Sequence, residues 1–172
     1  MKTKLPLMIV FGLVSVGAAF AARAEKPVAN VDVTFVAPDK FTDAKQDYMD
    51  TEKGRAALLD QLKEHLVAQG ARVLAPSQRL EVKVTDVDLA GDFEPWRGPN
   101  LQDVRIVKEI YPPRMNLEFR LLDADGKLLS EGKRELRDMT FLMSVGLPTS
   151  DALRYDKELL SNWLRREFKR AS

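Results

Sequence analysis

The stretch RLEVKVTDVDLAG, Arg79 to Gly91, decides the fold. Leu80, Val82 and Val84 fall on one side of an extended chain and Glu81, Lys83 and Thr85 on the other, the period-two signature of a half-buried strand. The phase then flips, because Val87 and Leu89 are the apolar residues of the second half. A straight strand would send Asp86 and Asp88 to the core side. A bulge near Thr85–Asp86 instead returns Val87 and Leu89 inward and turns both aspartates outward, and this is the preferred reading.

Around this strand the chain sorts into one pattern. Upstream, Val31, Val33 and Phe35 alternate with Asp32 and Thr34 as a first strand, which APDKFTD interrupts. A helix is expected from about Thr51 to Gln69. Its Leu58, Leu62 and Leu66 lie within about 80° on a helical wheel, with Leu59 beside them, Asp50 or Thr51 as N-cap and Gly70 as C-terminal cap. Downstream, DVRIVKEIY (Asp103–Tyr111) reads as a strand that Pro112-Pro113 stops. Met115, Leu117, Phe119 and Leu121 alternate through another. DADG (Asp123–Gly126) is hairpin-turn chemistry, with Gly126 available for a positive φ, and a last strand runs from about Lys127 to Leu136. Ser150 is the expected cap of a final helix whose stripe is Leu153, Leu160, Leu164 and Phe168, widened by Leu159 and Trp163. The order β-α-β-β-β-β-α predicts an α+β fold, a largely antiparallel sheet of about five strands with two main helices packed on it. With no repeat, low-complexity run or long linker, residues 25–172 are expected to form a single domain.

The N-terminus speaks to compartment. Lys2 and Lys4 precede an uncharged, mostly apolar run from Leu5 to Ala22, and Ala22-Arg23-Ala24 places small residues where a signal peptidase reads them. Residues 1–24 are therefore expected to be a secretory signal peptide, cleaved before Glu25, with Ala19-Phe20-Ala21 as a weaker alternative site. The run is short and rich in Gly and Ala for a spanning anchor, so no transmembrane span is expected in the mature protein and a periplasmic location is. Cleavage would leave 148 of the 172 residues and remove three cations but no acid, so 24 basic side chains would face 26 acidic ones. That balance gives no electrostatic reason for nucleic-acid binding. The chain has no cysteine, which excludes a thiol nucleophile, a thiolate metal site, covalent haem attachment and lipidation at a cysteine.

Several motifs, in order, resemble one family. FTD (Phe41–Asp43), TDVDLAGDFEPW (Thr85–Trp96), DVRI (Asp103–Ile106), YPPRM (Tyr111–Met115), LRDMTFL (Leu136–Leu142) and LRYDKELLSNWLRREF (Leu153–Phe168) are similar to the proteobacterial domain-of-unknown-function family numbered 3016. The resemblance covers nearly the whole expected mature chain, with Asp156 where the family pattern has glutamate. It implies a small exported protein and supplies no activity, cofactor or catalytic residue.

Two readings of function remain. Asp86, Asp88, Asp92 and Glu94 offer four carboxylates within nine residues, and Gly91 permits a tight turn, so this strand end is the candidate divalent-cation site. Calcium is the cation such oxygens suit, although the spacing is not that of an EF-hand. The same acids would serve a carboxylate hydrolase, for example Asp86 with Glu94; the alternative is a bulged strand end with solvated acids and Trp96 covering it. His65 is the only histidine and lies at the edge of the apolar stripe, so it reads as a boundary residue rather than a zinc ligand or catalytic base. DADG lacks the downstream acid of a calcium loop, and no glycine-rich phosphate loop is present.

The apolar stretch MTFLMSVGLP (Met139–Pro148) either fills the core under the last helix or presents an adaptable surface to a partner. The cations of the last helix, Arg154, Arg165, Arg166, Lys169 and Arg170, read as a solvated face, with anionic lipid headgroups as the sharper option. The leading expectation is an exported, non-enzymatic interaction module with no cofactor. Trp96, Phe141, Leu142 and Met143 are its contact residues toward an envelope protein or a lipid surface. The cation-binding or hydrolytic strand end is the alternative.

Overall fold

The computed structural model describes residues 30–144 and 150–168; the expected signal peptide, Val145–Pro148 of the apolar stretch, Lys169 and Arg170 lie outside the described residues. In chain order the elements are β1 (Asn30–Phe35), α1 (Glu52–Val73), β2 (Arg79–Asp88), β3 (Asp92–Phe93), β4 (Arg105–Ile106), β5 (Arg114–Leu122), β6 (Leu128–Arg137) and α2 (Arg154–Phe168). Strands β1-β2-β5-β6 form one sheet, while β3 and β4 pair as a separate ribbon. β1 runs parallel to β2 across the α1 crossover; β2–β5 and β5–β6 are antiparallel. This is the α+β architecture expected.

The bulge sits where the phase flips. The β2–β5 register shifts between Val84 and Asp86, and the Thr85 hydroxyl donates to Asn116 O at 3.2 Å across the irregularity. Val87 and Leu89 are buried, Thr85 is exposed, and Asp86 and Asp88 are half-buried. One extra residue thus rescues the inward set of the whole strand.

Both helices cover the face that carries Val82, Val84, Leu117 and Phe119, where Leu62 and Leu66 of α1 and Leu160, Trp163 and Leu164 of α2 complete one core cluster. Phe119 meets the Phe168 ring edge-on at 5.4 Å, a favourable aromatic geometry. The opposite face is a charge ladder: Arg79–Asp32 at 2.6 Å, Arg120–Glu81 at 3.1 Å and Lys133–Glu118 at 2.6 Å. Exposed pairs of this kind keep a one-sided sheet soluble and add little stability each. At the β5–β6 turn the Asp123 carboxylate accepts the Asp125 and Lys127 N–H groups, and Gly126 takes φ 79°. DADG is a hairpin turn, its first acid consumed by the backbone.

Three expectations change. Gly70 does not end α1, which continues to Val73; the Leu74 N–H closes the helix on Gly70 O. A Cβ on Gly70 would lie 2.7 Å from Val31 Cγ2, so this glycine permits close helix–sheet approach. Thr51 is the N-cap, accepting the Gly54 N–H at 3.1 Å.

Ser150 lies too far upstream to cap α2, which starts at Arg154; the Asp151 carboxylate accepts the Leu153 N–H there. The strand expected over Asp103–Tyr111 shrinks to Arg105–Ile106. Arg105 and Lys108 are drawn to buried carboxylates, and the segment turns at Lys108, whose carbonyl accepts the Tyr111 N–H.

Candidate functional site

The site is built where β2 ends. FTD runs beside the strand end: the Asp43 N–H donates to Val87 O at 2.8 Å and the Leu89 N–H to Asp43 O at 3.1 Å. This contact brings Thr42 to Asp86, whose carboxylate accepts the Thr42 N–H at 2.8 Å and its hydroxyl at 2.9 Å. Gly91 then reverses the chain with φ 82°; a Cβ there would sit 2.9 Å from Ile106 O, so only glycine fits. From Asp92 the chain leaves the sheet as an excursion that returns at Tyr111, where the Gly91 N–H meets Tyr111 O at 3.0 Å.

Arg105 fastens this excursion to the body. Its guanidinium donates to Asp43 Oδ2 at 2.7 Å and Oδ1 at 3.1 Å, to Gly91 O at 2.9 Å and to Lys45 O at 2.9 Å. It also lies 4.6 Å from the Phe93 ring centroid, a cation–π distance. Neither Arg105 nor Asp43 was distinguishable as a keystone in the sequence.

The four acids are divided among three surroundings. Asp86 is held by Thr42. Asp88 and Asp92 line a polar cleft of about 260 Å³ together with Asp43, Lys45, Tyr111 and Arg114. Burial first, then the like charges of Asp43, Asp86 and Asp92, push the Asp88 carboxyl above its ordinary value, against the pull of Arg114 at 3.8 Å. Asp92 accepts the Phe93 N–H at 2.7 Å.

Glu94 turns away from the cleft and is 2% exposed. Its Oε1 accepts from Lys108 Nζ at 2.5 Å and the Tyr111 hydroxyl at 3.0 Å. The Lys108 hydrogen bond is the main reason its carboxyl is held below the usual range, with burial opposing. Arg97 Nε lies 2.5 Å from Oε2 as an ion pair but without hydrogen-bond geometry, so Oε2 has no hydrogen-bond donor among the described residues. Among the described residues, no three acid or histidine side chains are placed to hold a metal ion.

The expected contact residues also separate. Trp96, on the short turn Pro95–Arg97, is 73% exposed. Leu142 and Met143 are exposed, but Phe141 is buried and meets the Tyr155 ring edge-on at 5.0 Å. Phe141 is thus a core anchor rather than a surface residue, because its segment folds back under α2. Of the last-helix cations, Arg154 lies over the Tyr155 ring and Arg165 pairs with Glu158.

His65 stands 2.8 Å from the Ser161 hydroxyl, which itself donates to Lys157 O. The hydroxyl thus stands between the imidazole of α1 and a carbonyl of its own helix. Burial lowers the His65 pKa. This pair joins α1 to α2.

A family model for proteins of unknown function, DUF3016, matches residues 29–166. The chain belongs to the DUF3016 family. No protein of curated function matches it. Two solved structures are similar to this DUF3016 chain over most of their length, both PelC dodecamers from Paraburkholderia phytofirmans. A point variant in space group C2 is 13% identical, with 84% of this chain and 89% of that one covered and a TM-score of 0.34. The dodecamer in space group P6 is 13% identical, with 86% and 93% covered and a TM-score of 0.35. Scores this low carry no conclusion for the DUF3016 chain. No helix among its described residues is long and apolar enough to cross a membrane.

Proposed function

We propose that this chain is an exported, periplasmic protein that works by contact rather than by catalysis, with Trp96 as its principal contact residue. The observation that supports this reading is the pairing of opposites on one turn: Glu94, 2% exposed, and Trp96, 73% exposed. Burying a carboxylate is costly, and Lys108, Tyr111 and Arg97 are all gathered round Glu94 to meet that cost. Their combined effect is to fix the turn that presents an indole to solvent. Tryptophan is enriched, with tyrosine and arginine, among the residues that carry binding energy, because its area is large and few rotors need ordering. Export rests on the N-terminal sequence.

The partner this reading favours is an envelope protein, since polar groups of the neighbouring cleft suit a protein surface better than a hydrocarbon layer. Trp163, the other tryptophan, is buried, so fluorescence separates the two. We expect acrylamide to quench a fraction of the emission that Trp96→Phe removes, and envelope extract to shield that fraction. Anionic vesicles shielding it instead would move the partner to lipid. Shielding by neither would overturn the reading. Trp96→Ala is expected to leave Tm unchanged within about 2 °C, because exposed substitutions away from caps and cores move stability little.

The cleft supports a second reading, cation binding at Asp88 and Asp92, through the raised Asp88 carboxyl among like charges. Lys45 and Arg114 line the same cleft and oppose it. The expected result is that Tm stays unchanged in millimolar calcium; a rise of several degrees would favour the cation, since a ligand of the native state alone must stabilise it.

A further inference from the structure

A third buried carboxylate, after Asp43 and Glu94, takes no part in the hydrogen bonds around the Trp96 turn. Asp156, in the first turn of α2, is 1% exposed. Its Oδ1 accepts the Ala90 N–H at 3.1 Å, and Oδ2 has no partner among the described residues. Ala90 is the last residue before the Gly91 turn, so this hydrogen bond ties the root of the 91–111 excursion to α2. Beside Asp156 lies a cavity of about 210 Å³ whose walls include Leu58, Gln61, Leu89 and Leu153, room enough for water to enter.

The charged groups around Asp156 pull in both directions, Arg105 more than Asp43. Arg105 from β4 attracts a negative charge there and Asp43 repels it, and the two are already locked to each other. Arg105 and Lys45 both line the same cavity; α1 contributes Leu58 and Gln61, neither charged. On α2 itself, Lys157 is paired with Asp151. An ionised Asp156 would have backbone N–H groups and the pull of Arg105 but no ion pair of its own among the described residues, whereas a protonated one carries no charge to bury. Burial accordingly pushes the carboxyl up to about 7.

We propose that Asp156 is a proton-operated latch: protonated, it holds the excursion against the body, and ionised, it draws water into the cavity and lets the excursion open. Only the consequence for binding, the loss of a fixed Trp96, rests on the contact reading above. The latch itself stands on the buried, unpartnered oxygen and the cavity; the Ala90 N–H favours the ionised carboxyl, and burial outweighs it.

Hydrogen exchange tests it without any partner. In the full chain at pH 5, 6, 7 and 8, corrected for intrinsic exchange, amides of residues 91–111 are expected to open more readily than those of α1, through an event smaller than global unfolding. Their opening constant is expected to rise with pH, by at most about tenfold per unit, and to level off above pH 7, because the open state lets the proton go at an ordinary carboxyl value. Asp156→Asn is expected to flatten the profile and His65→Gln to leave it unchanged. The latch is overturned if the 91–111 and α1 amides share one opening at every pH, or if the smaller opening is independent of pH. It is equally overturned if the dependence survives Asp156→Asn or vanishes in His65→Gln. Wild type decides alone should Asp156→Asn not fold.

Discussion

Arg105→Ala is expected to lower Tm on the order of 10 °C at pH 7. The substitution removes four hydrogen bonds at once: two to Asp43, one to Gly91 O and one to Lys45 O. It also strips the counter-ion from Asp43, a residue 8% exposed. Removing one partner of a buried pair costs about 3–5 kcal/mol, most of it the penalty on the charge left behind. For a chain of this size each kcal/mol moves Tm by roughly 2–4 °C.

Arg105→Lys is expected to recover only part of the loss, because an ammonium cannot serve two carboxylate oxygens and two carbonyls from one planar fork. A thermal melt of the three proteins decides it. If Arg105→Ala melted within about 2 °C of wild type, Arg105 would not be the fastening of the excursion.

How much of this was readable beforehand differs by element. The bulge was legible because a period-two pattern that slips by one residue has a single local remedy, and Val84 and Val87 mark both sides of it. The helices were legible from their stripes, and the start of α1 from Thr51, although the far end of α1 and the start of α2 were not. Gly70 was misread because an interior glycine that permits close packing on Val31 looks, in sequence, the same as a terminal one. The strand over Asp103–Tyr111 was overestimated because its alternation is real but its cations are recruited from a distance, by Asp43 and Glu94.

The site was less legible than the fold. Counting acids marked the right strand end, yet it could not tell Glu94, buried among donors, from Asp88, facing a cleft. That difference is set by Lys108 and Tyr111, 14 and 17 residues downstream. Phe141 was grouped with Leu142 and Met143 because an apolar run does not reveal which member turns inward. Asp156 did leave a signal: it stands one helical turn before Leu160 and two before Leu164, an acid on the apolar stripe. An ionisable residue in phase with a core stripe is a buried-charge candidate from spacing alone.

That residue carries the second large effect. Asp156→Asn is expected to stabilise the protein at pH 8 and to do nothing at pH 4. With a folded value of about 7 and an unfolded value near 3.9, Asp156 binds its proton in the native state over a range where the unfolded chain has released it. Its contribution is therefore fully present below about pH 4, falls as pH rises, and is gone above about pH 7. The shift is worth about 4 kcal/mol if taken whole, at 1.36 kcal/mol per unit.

Asparagine keeps an oxygen for the Ala90 N–H and carries no charge at any pH, so it escapes that loss. Other groups slope the opposite way. His65, held low by burial, and Glu94, held low mainly by Lys108, both withdraw stability as pH falls. For this reason the quantity to measure is the difference in Tm between variant and wild type at each pH from 4 to 8. A difference growing from near zero toward roughly 10 °C assigns the alkaline loss to Asp156. A difference that is flat, or that grows toward acid, would mean that the carboxylate finds a partner on ionising and that its burial carries no penalty.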